Sequence, residues 1–207
     1  MRRSEASFHQ IKWGAYSTLC FMPNPLFLLK GKDVISQNFI MKKVWNFLIS
    51  FLATGGFLGK VPFASGTFGT LLGVVIFVFL SKYQLIYYIL IILLIPLAIL
   101  ISDYAQKNIY KDESDPKVIV IDEIVGYLVS TVGFTFSISP EGIFIASVTF
   151  LIFRILDIFK PFPIVHLQSL EGGVGIVIDD IFAGVVTNVL TRILLALNLS
   201  SLIFPMV

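Results

Sequence analysis

The chain has 207 residues, of which 57% are hydrophobic and 14% charged, with a mean hydropathy of +0.91. Soluble globular domains carry about 25% charged residues, so this composition points to lipid contact, and the length suits one compact domain. The net charge of +2 is too small to indicate a nucleic-acid partner, and a lone Cys20 with only two histidines (His9 and His166) excludes disulfides, cysteine metal clusters and histidine-pair chemistry.

Residues 1–40 mix basic, polar and apolar positions without a sustained period. Arg2 and Arg3 resemble the start of a signal peptide, but Pro23 and Pro25 interrupt what would be its apolar core. Met41-Lys42-Lys43-Val44-Trp45 reads as an ordinary start of a membrane protein. Residues 1–40 are therefore expected to be a dispensable extension from a start codon placed too early, and 41–207 the functional domain. Trp45 to Ala53 reads as an amphipathic or re-entrant piece.

A bilayer-spanning helix takes about 20 apolar residues. Five stretches approach this: Gly66 to Ser81, Gln84 to Ile101 with Pro96 inside, Ile124 to Ile138, Gly142 to Leu156 and Ile181 to Leu197. The predicted fold class is all-α, a multi-helical membrane bundle of about five hydrophobic helices. Lys117 to Asp122 matches a strand on pattern alone, against its helical surroundings. Lysine and arginine mark cytoplasmic loops. If odd-numbered spans run outward from the cytoplasm, Lys42, Lys43, Lys60, Lys107, Lys111, Lys117 and Lys160 share one side, with Arg154 at its boundary. The other side receives Lys82, and Arg192 lies within the last span. Segments 54–66, 102–123 and 157–180 then meet at the cytoplasmic face.

Those segments hold most of the acids: Asp103, Asp112, Glu113, Asp115, Asp122, Glu123, Asp157, Glu171, Asp179 and Asp180. Val120-Ile121-Asp122-Glu123-Ile124-Val125-Gly126 and Val177-Ile178-Asp179-Asp180-Ile181-Phe182-Ala183-Gly184 repeat each other, each placing adjacent carboxylates among apolar residues at the mouth of a span. Asp157 is a third apolar-flanked acid. Carboxylates are costly near hydrocarbon and mark function there. Magnesium takes hard oxygen ligands in octahedral geometry, often one or two carboxylates with water and phosphate, and five such acids can supply one or two ions. The plainer reading is that acids at helix starts cap the helix and complement its dipole.

Arg154, Lys160 and Lys60 are candidate phosphate-holding groups, arginine gripping in a fork and lysine acting as a point charge. Lys60 belongs to the glycine-rich segment from Thr54 to Gly69, which leads into a helix start able to present N–H groups to an anion. The plainer reading of these cations is snorkelling toward lipid headgroups. Gly172-Gly173-Val174-Gly175 reads first as a flexible loop. His166 is a candidate for proton transfer, although a lone histidine at a membrane surface is more often structural.

The Thr54–Gly69 segment, Asp115-Pro116 with Val120 to Gly126, Phe153-Arg154-Ile155-Leu156-Asp157-Ile158-Phe159-Lys160-Pro161-Phe162-Pro163-Ile164, and Gly172 to Gly184 resemble, in content and order, the bacterial phosphatidylglycerophosphatase A family. The resemblance covers roughly residues 45–197. It implies a mostly helical fold, a magnesium requirement, and hydrolysis of the terminal phosphate of phosphatidylglycerophosphate to phosphatidylglycerol, at the cytoplasmic face of the bacterial inner membrane. Metal-related roles then fall on Asp122, Glu123, Asp157, Asp179 and Asp180, and phosphate contacts on Arg154, Lys160 and Lys60. Catalysis proceeds either by a water acidified on magnesium or by nucleophilic attack from a carboxylate, with Asp179 the candidate among Asp157, Asp179 and Asp180. A phosphotransferase acting on a CDP-activated lipid is a rival, but its Asp-Gly-x-x-Ala-Arg signature is absent. A small ion transporter is another, but transporters place acids near the bilayer midplane.

Overall fold

A computed structural model describes the backbone of residues 25–111, 117–162, 164–167 and 170–197, with side chains from residue 39 onward. Asp112, Glu113, Asp115 and most of the expected N-terminal extension lie outside the described residues. The chain divides into two compact units, Met1–Met41 and Lys42–Val207. The described part of the first unit is the start of helix α1 (Pro25–Ala53).

The second unit is helical throughout its described residues. After α1 come a short 3-10 turn at Leu58–Lys60, α2 (Ser65–Leu80), α3 (Gln84–Asn108), α4 (Ile121–Ser130), α5 (Pro140–Phe159), α6 (Ile164–Leu167) and α7 (Gly173–Ala196). Helices α3, α5 and α7 are long and apolar enough to cross a membrane, and α2 is a shorter apolar helix. At 1.5 Å per residue α5 is about 30 Å long, the thickness of the hydrocarbon core. Their outer faces expose large apolar side chains, such as Leu85, Ile92 and Leu100 on α3 and Leu151 and Ile155 on α5. This is a membrane protein.

The third apolar run is helical only to Ser130. Beyond it, the Thr131 N–H donates to the Leu128 carbonyl, and Gly133 turns the chain with φ of 78°. The run to Ile138 is as apolar as a span, but a left-handed residue ends a helix there. Residues 117–120 form turn and irregular backbone, so the strand pattern at Lys117–Asp122 is not realised. Helix α5 begins where Ser139 accepts a hydrogen bond from the Gly142 N–H, with Pro140 in the first turn, and ends at Lys160 in the left-handed region before Pro161.

Small residues set the crossings. A methyl group at Gly184 would strike the backbone of Gly126, and one at Gly126 would meet the Asp180 carbonyl and the Phe153 ring, so α4 and α7 touch backbone to backbone. Gly69 brings α2 against Val120, just before α4, and Gly73 brings it to Ile124 and Tyr127 of α4. Around these contacts Phe77, Tyr87, Tyr127, Leu128 and Phe153 form a buried core. The Tyr127 hydroxyl donates to the Ala146 carbonyl, and the Tyr87 hydroxyl to the Leu128 carbonyl.

The helices alternate in direction, so one end of the bundle collects the start of α2, the end of α3, the start of α4, the end of α5 and the first turns of α7. Ser65 donates to the Lys117 carbonyl at this end, and the Gly173 N–H donates to Asp103.

Candidate active site

The Gly126–Gly184 crossing places Asp180 of α7 against the helix turn that follows Asp122 and Glu123 of α4. One carboxylate oxygen from each of Asp122, Glu123 and Asp180 lies within 4.8 Å of the others. Asp122 Oδ1, Glu123 Oε2 and Asp180 Oδ2 are buried with no hydrogen-bond partner. Buried polar atoms normally find partners, and three neighbouring carboxylates that each keep an orphaned oxygen suit a hard divalent cation.

Two ion pairs flank the cluster. On α5, Arg154 and Asp157 stand three residues apart, on one face, and the guanidinium pairs with the carboxylate. Arg154 Nη1 also reaches the Thr70 hydroxyl of α2 at 3.4 Å, while its Nε is buried without a partner. Lys160, at the left-handed end of α5, pairs with Asp179. Burial disfavours the Lys160 ammonium, but the hydrogen bond and charge of Asp179 outweigh it, so its pKa stands above the usual lysine value. Asp179 Oδ1 accepts the Asp180 N–H at 3.0 Å, so both Asp179 oxygens are engaged. Helix α2 enters beside them at Gly66, where a methyl group would run into the Glu123 carboxylate and the Arg154 guanidinium.

Seven of the eight candidate residues therefore meet in this cluster: Asp122, Glu123, Arg154, Asp157, Lys160, Asp179 and Asp180. The eighth, Lys60, lies with its Nζ 4.6 Å from the centre of the Phe57 ring. Among the described residues it forms no ion pair with the cluster. His166 packs edge-on against Phe162. Asp179 and Asp180 sit two turns inside α7, because that helix starts at Gly173. The glycines read as a flexible loop are its first turn: a side chain at Gly173 would collide with the backbone of Ile99 and Asp103 in α3. Thr70 and Gly66 were not among the candidates. The only sequence sign for Gly66 is that it belongs to the glycine-rich segment, and Thr70 follows directly after that segment without a sign of its own.

An all-helical membrane protein that gathers buried carboxylates and two cations at one end of its bundle belongs to the class of membrane enzymes acting on charged headgroups. The family model described as phosphatidylglycerophosphatase A matches residues 51–195. A phosphatidylglycerophosphatase A of Escherichia coli K12 is 32% identical over 77% of this chain and 88% of its own length. One of Haemophilus influenzae is 34% identical over 66% of this chain and 82% of its own. A protein of Bacteroides thetaiotaomicron, provisionally named a phosphatidylinositol-3-phosphatase, is 33% identical over 72% of this chain and 94% of its own. No solved structure is a significant match. The chain belongs to the phosphatidylglycerophosphatase A family, and so to the phosphoric monoester hydrolases.

Proposed function

We propose that the chain hydrolyses the terminal phosphate of phosphatidylglycerophosphate to give phosphatidylglycerol, in phospholipid biosynthesis, with magnesium bound by Asp122, Glu123 and Asp180. The observation that carries this reading is the trio of orphaned buried carboxylate oxygens beside Arg154 and Lys160. Capping explains acids at a helix start, but Asp180 lies inside α7 and caps nothing.

Magnesium would supply neutralisation of the phosphate oxygens and acidify an attacking water. The rest falls to the chain. Arg154 offers two N–H groups to the transferring phosphoryl group, and Lys160 a point charge. Asp157 and Asp179 hold those cations in position and complete the acidic ring. Attack by Asp179 with an acyl-phosphate intermediate is the alternative to attack by water. The engagement of both its oxygens favours water, and a phospho-enzyme trapped by rapid acid quench would reverse that choice. In either route the P–O bond to glycerol breaks and the departing oxygen takes a proton. Lys60, exposed at the rim, attracts the anionic headgroup from a distance.

The site faces the cytoplasm of a bacterial inner membrane on this reading, since Lys60, Lys107, Lys111, Lys117 and Lys160 lie at its end of the bundle and Lys82 at the other. Residues 1–40 precede the family match and are dispensable on the same reading, so a chain beginning at Met41 retains the activity.

The test is phosphate release from phosphatidylglycerophosphate by membranes containing the chain, with magnesium or EDTA, beside Asp180→Asn. Magnesium-dependent release that disappears in the variant supports the proposal. Release only from phosphatidylinositol 3-phosphate, run in parallel, would move the substrate. No release from folded protein would overturn the proposal and direct attention to CDP-lipid transfer and then ion flux.

A further inference from the structure

Directly below Arg154 an apolar groove of about 290 Å³ runs between α2 and α5, lined by Leu71, Val74, Ala146, Ser147, Phe150 and Leu151. Leu151 and Phe150 lie three and four residues before Arg154, on its face of α5. On α2, Thr70 meets Arg154, Leu71 follows it, and Val74 is one turn further. The Arg154–Thr70 contact therefore closes the top of the groove.

A second cavity of about 500 Å³, lined by Ile138, Pro140, Ile143 and Phe144 among others, shares Ser147 with the first. Arg154 to Pro140 is 14 residues of α5, about 21 Å of helix, and exceeds the roughly 15 Å depth of one hydrocarbon leaflet. Leu71, Ser147 and Leu151 are exposed, so the groove opens sideways to the bilayer. The Ala146 carbonyl in its floor is satisfied by the Tyr127 hydroxyl.

The larger apolar cavity, about 560 Å³ beside Gly55, Leu72 and Leu94, has no such link. Ile121 and Ile124 line it from one face of α4, whereas Asp122, Glu123 and Gly126 turn away, Gly126 toward α5 and α7.

We infer that the α2–α5 groove seats one acyl chain of the phospholipid substrate while Arg154 holds its phosphate. This rests on the phospholipid phosphatase reading above. A chain entering sideways from the leaflet brings the headgroup to Arg154 without leaving the membrane. The groove thereby sets both orientation and chain-length preference.

Chain-length selectivity tests it. Ser147→Trp at the junction of the two cavities and Leu71→Trp at the mouth are compared with Ile92→Trp on the lipid-facing side of α3. The ratio of kcat/KM for dioleoyl over dihexanoyl phosphatidylglycerophosphate is expected to fall about tenfold in the first two, through the long-chain KM. It should stay at the wild-type value in Ile92→Trp. A wild-type ratio in both groove variants overturns the inference. A wild-type enzyme that hydrolyses neither lipid would contradict the phosphatase reading instead. A crosslinking measurement on wild-type membranes decides the groove in that case, or if the variants fail to fold. Phosphatidylglycerophosphate carrying a diazirine at the end of each acyl chain should label residues 138–151 or the facing Leu71 and Val74, with unlabelled substrate lipid competing and excess phosphatidylcholine not. Absence of label from residues 138–151 and from Leu71 and Val74, or equal competition by phosphatidylcholine, overturns it.

Discussion

The two ends of this bundle handle polar groups in hydrocarbon in opposite ways. At the end away from the site, α4 stops at Ser130 and leaves carbonyls that no helix satisfies. Side chains of α7 take them: Asn188 donates to Ser130 and Val132, and Arg192 donates to Val132 at 2.9 Å. Arg192 also donates to Asn188 and lies over the Phe134 ring, 4.7 Å from its centre. Nearby, Gln84 donates to the Ser81 and Phe134 carbonyls. At the site end, the neighbouring carboxylates of Asp122, Glu123 and Asp180 each keep a buried oxygen without a partner. An arginine whose donors end on carbonyls is architecture, while buried acids left without partners are suited to holding a cation. Charge inside an apolar chain does not by itself mark function; charge left unsatisfied does.

Substitutions at the two ends should therefore separate activity from stability. The largest effect is expected from Asp180→Asn, with phosphate release falling about 10³-fold. Its thermal midpoint in detergent, without metal, should not drop, because one repelling charge is gone. Arg154→Lys keeps the charge and loses the fork, so kcat/KM should fall about 10²-fold in steady-state assays. Arg192→Ala breaks the pattern the other way. Denaturation should show a loss of about 1 kcal/mol as the Val132 carbonyl keeps only its Asn188 donor, while activity per folded molecule persists. The smallest effect is Gly66→Ala, whose methyl group displaces Glu123 and Arg154 together. It should lower kcat/KM about tenfold with little change in the thermal midpoint. If Arg192→Ala abolished activity in folded protein, or Asp180→Asn unfolded the chain, the distinction between the ends would fail.

Much of the site could be read from residue order. Asp122-Glu123, Asp157 and Asp179-Asp180 stand out because an acid in an apolar run has few structural excuses, and the spacing of Arg154 and Asp157 already puts them on one helix face. The helix limits were harder. Apolar composition runs unbroken to Ile138, but α4 ends at Ser130 because Gly133 adopts a left-handed turn and α7 supplies partners for the freed carbonyls. Those partners are 56 to 58 residues away in the chain. Gly172 and Gly173 look like a loop for the same reason, since the need for glycine comes from α3 pressing against them. Thr70 carried no sign of its role, because a threonine in an apolar helix usually bonds its own backbone. Thr70 does so, donating to the Gly66 carbonyl at 2.8 Å, and meets Arg154 as well.

The most direct measurement is the thermal midpoint of the purified chain in detergent, titrated with magnesium, for wild type and Asp180→Asn. Ligand binding to the folded state raises stability as RT ln(1 + [L]/Kd). The wild-type midpoint should climb with magnesium concentration and the variant's should stay level. A wild-type midpoint that ignores magnesium, or an equal rise in both proteins, would contradict a metal held by Asp122, Glu123 and Asp180.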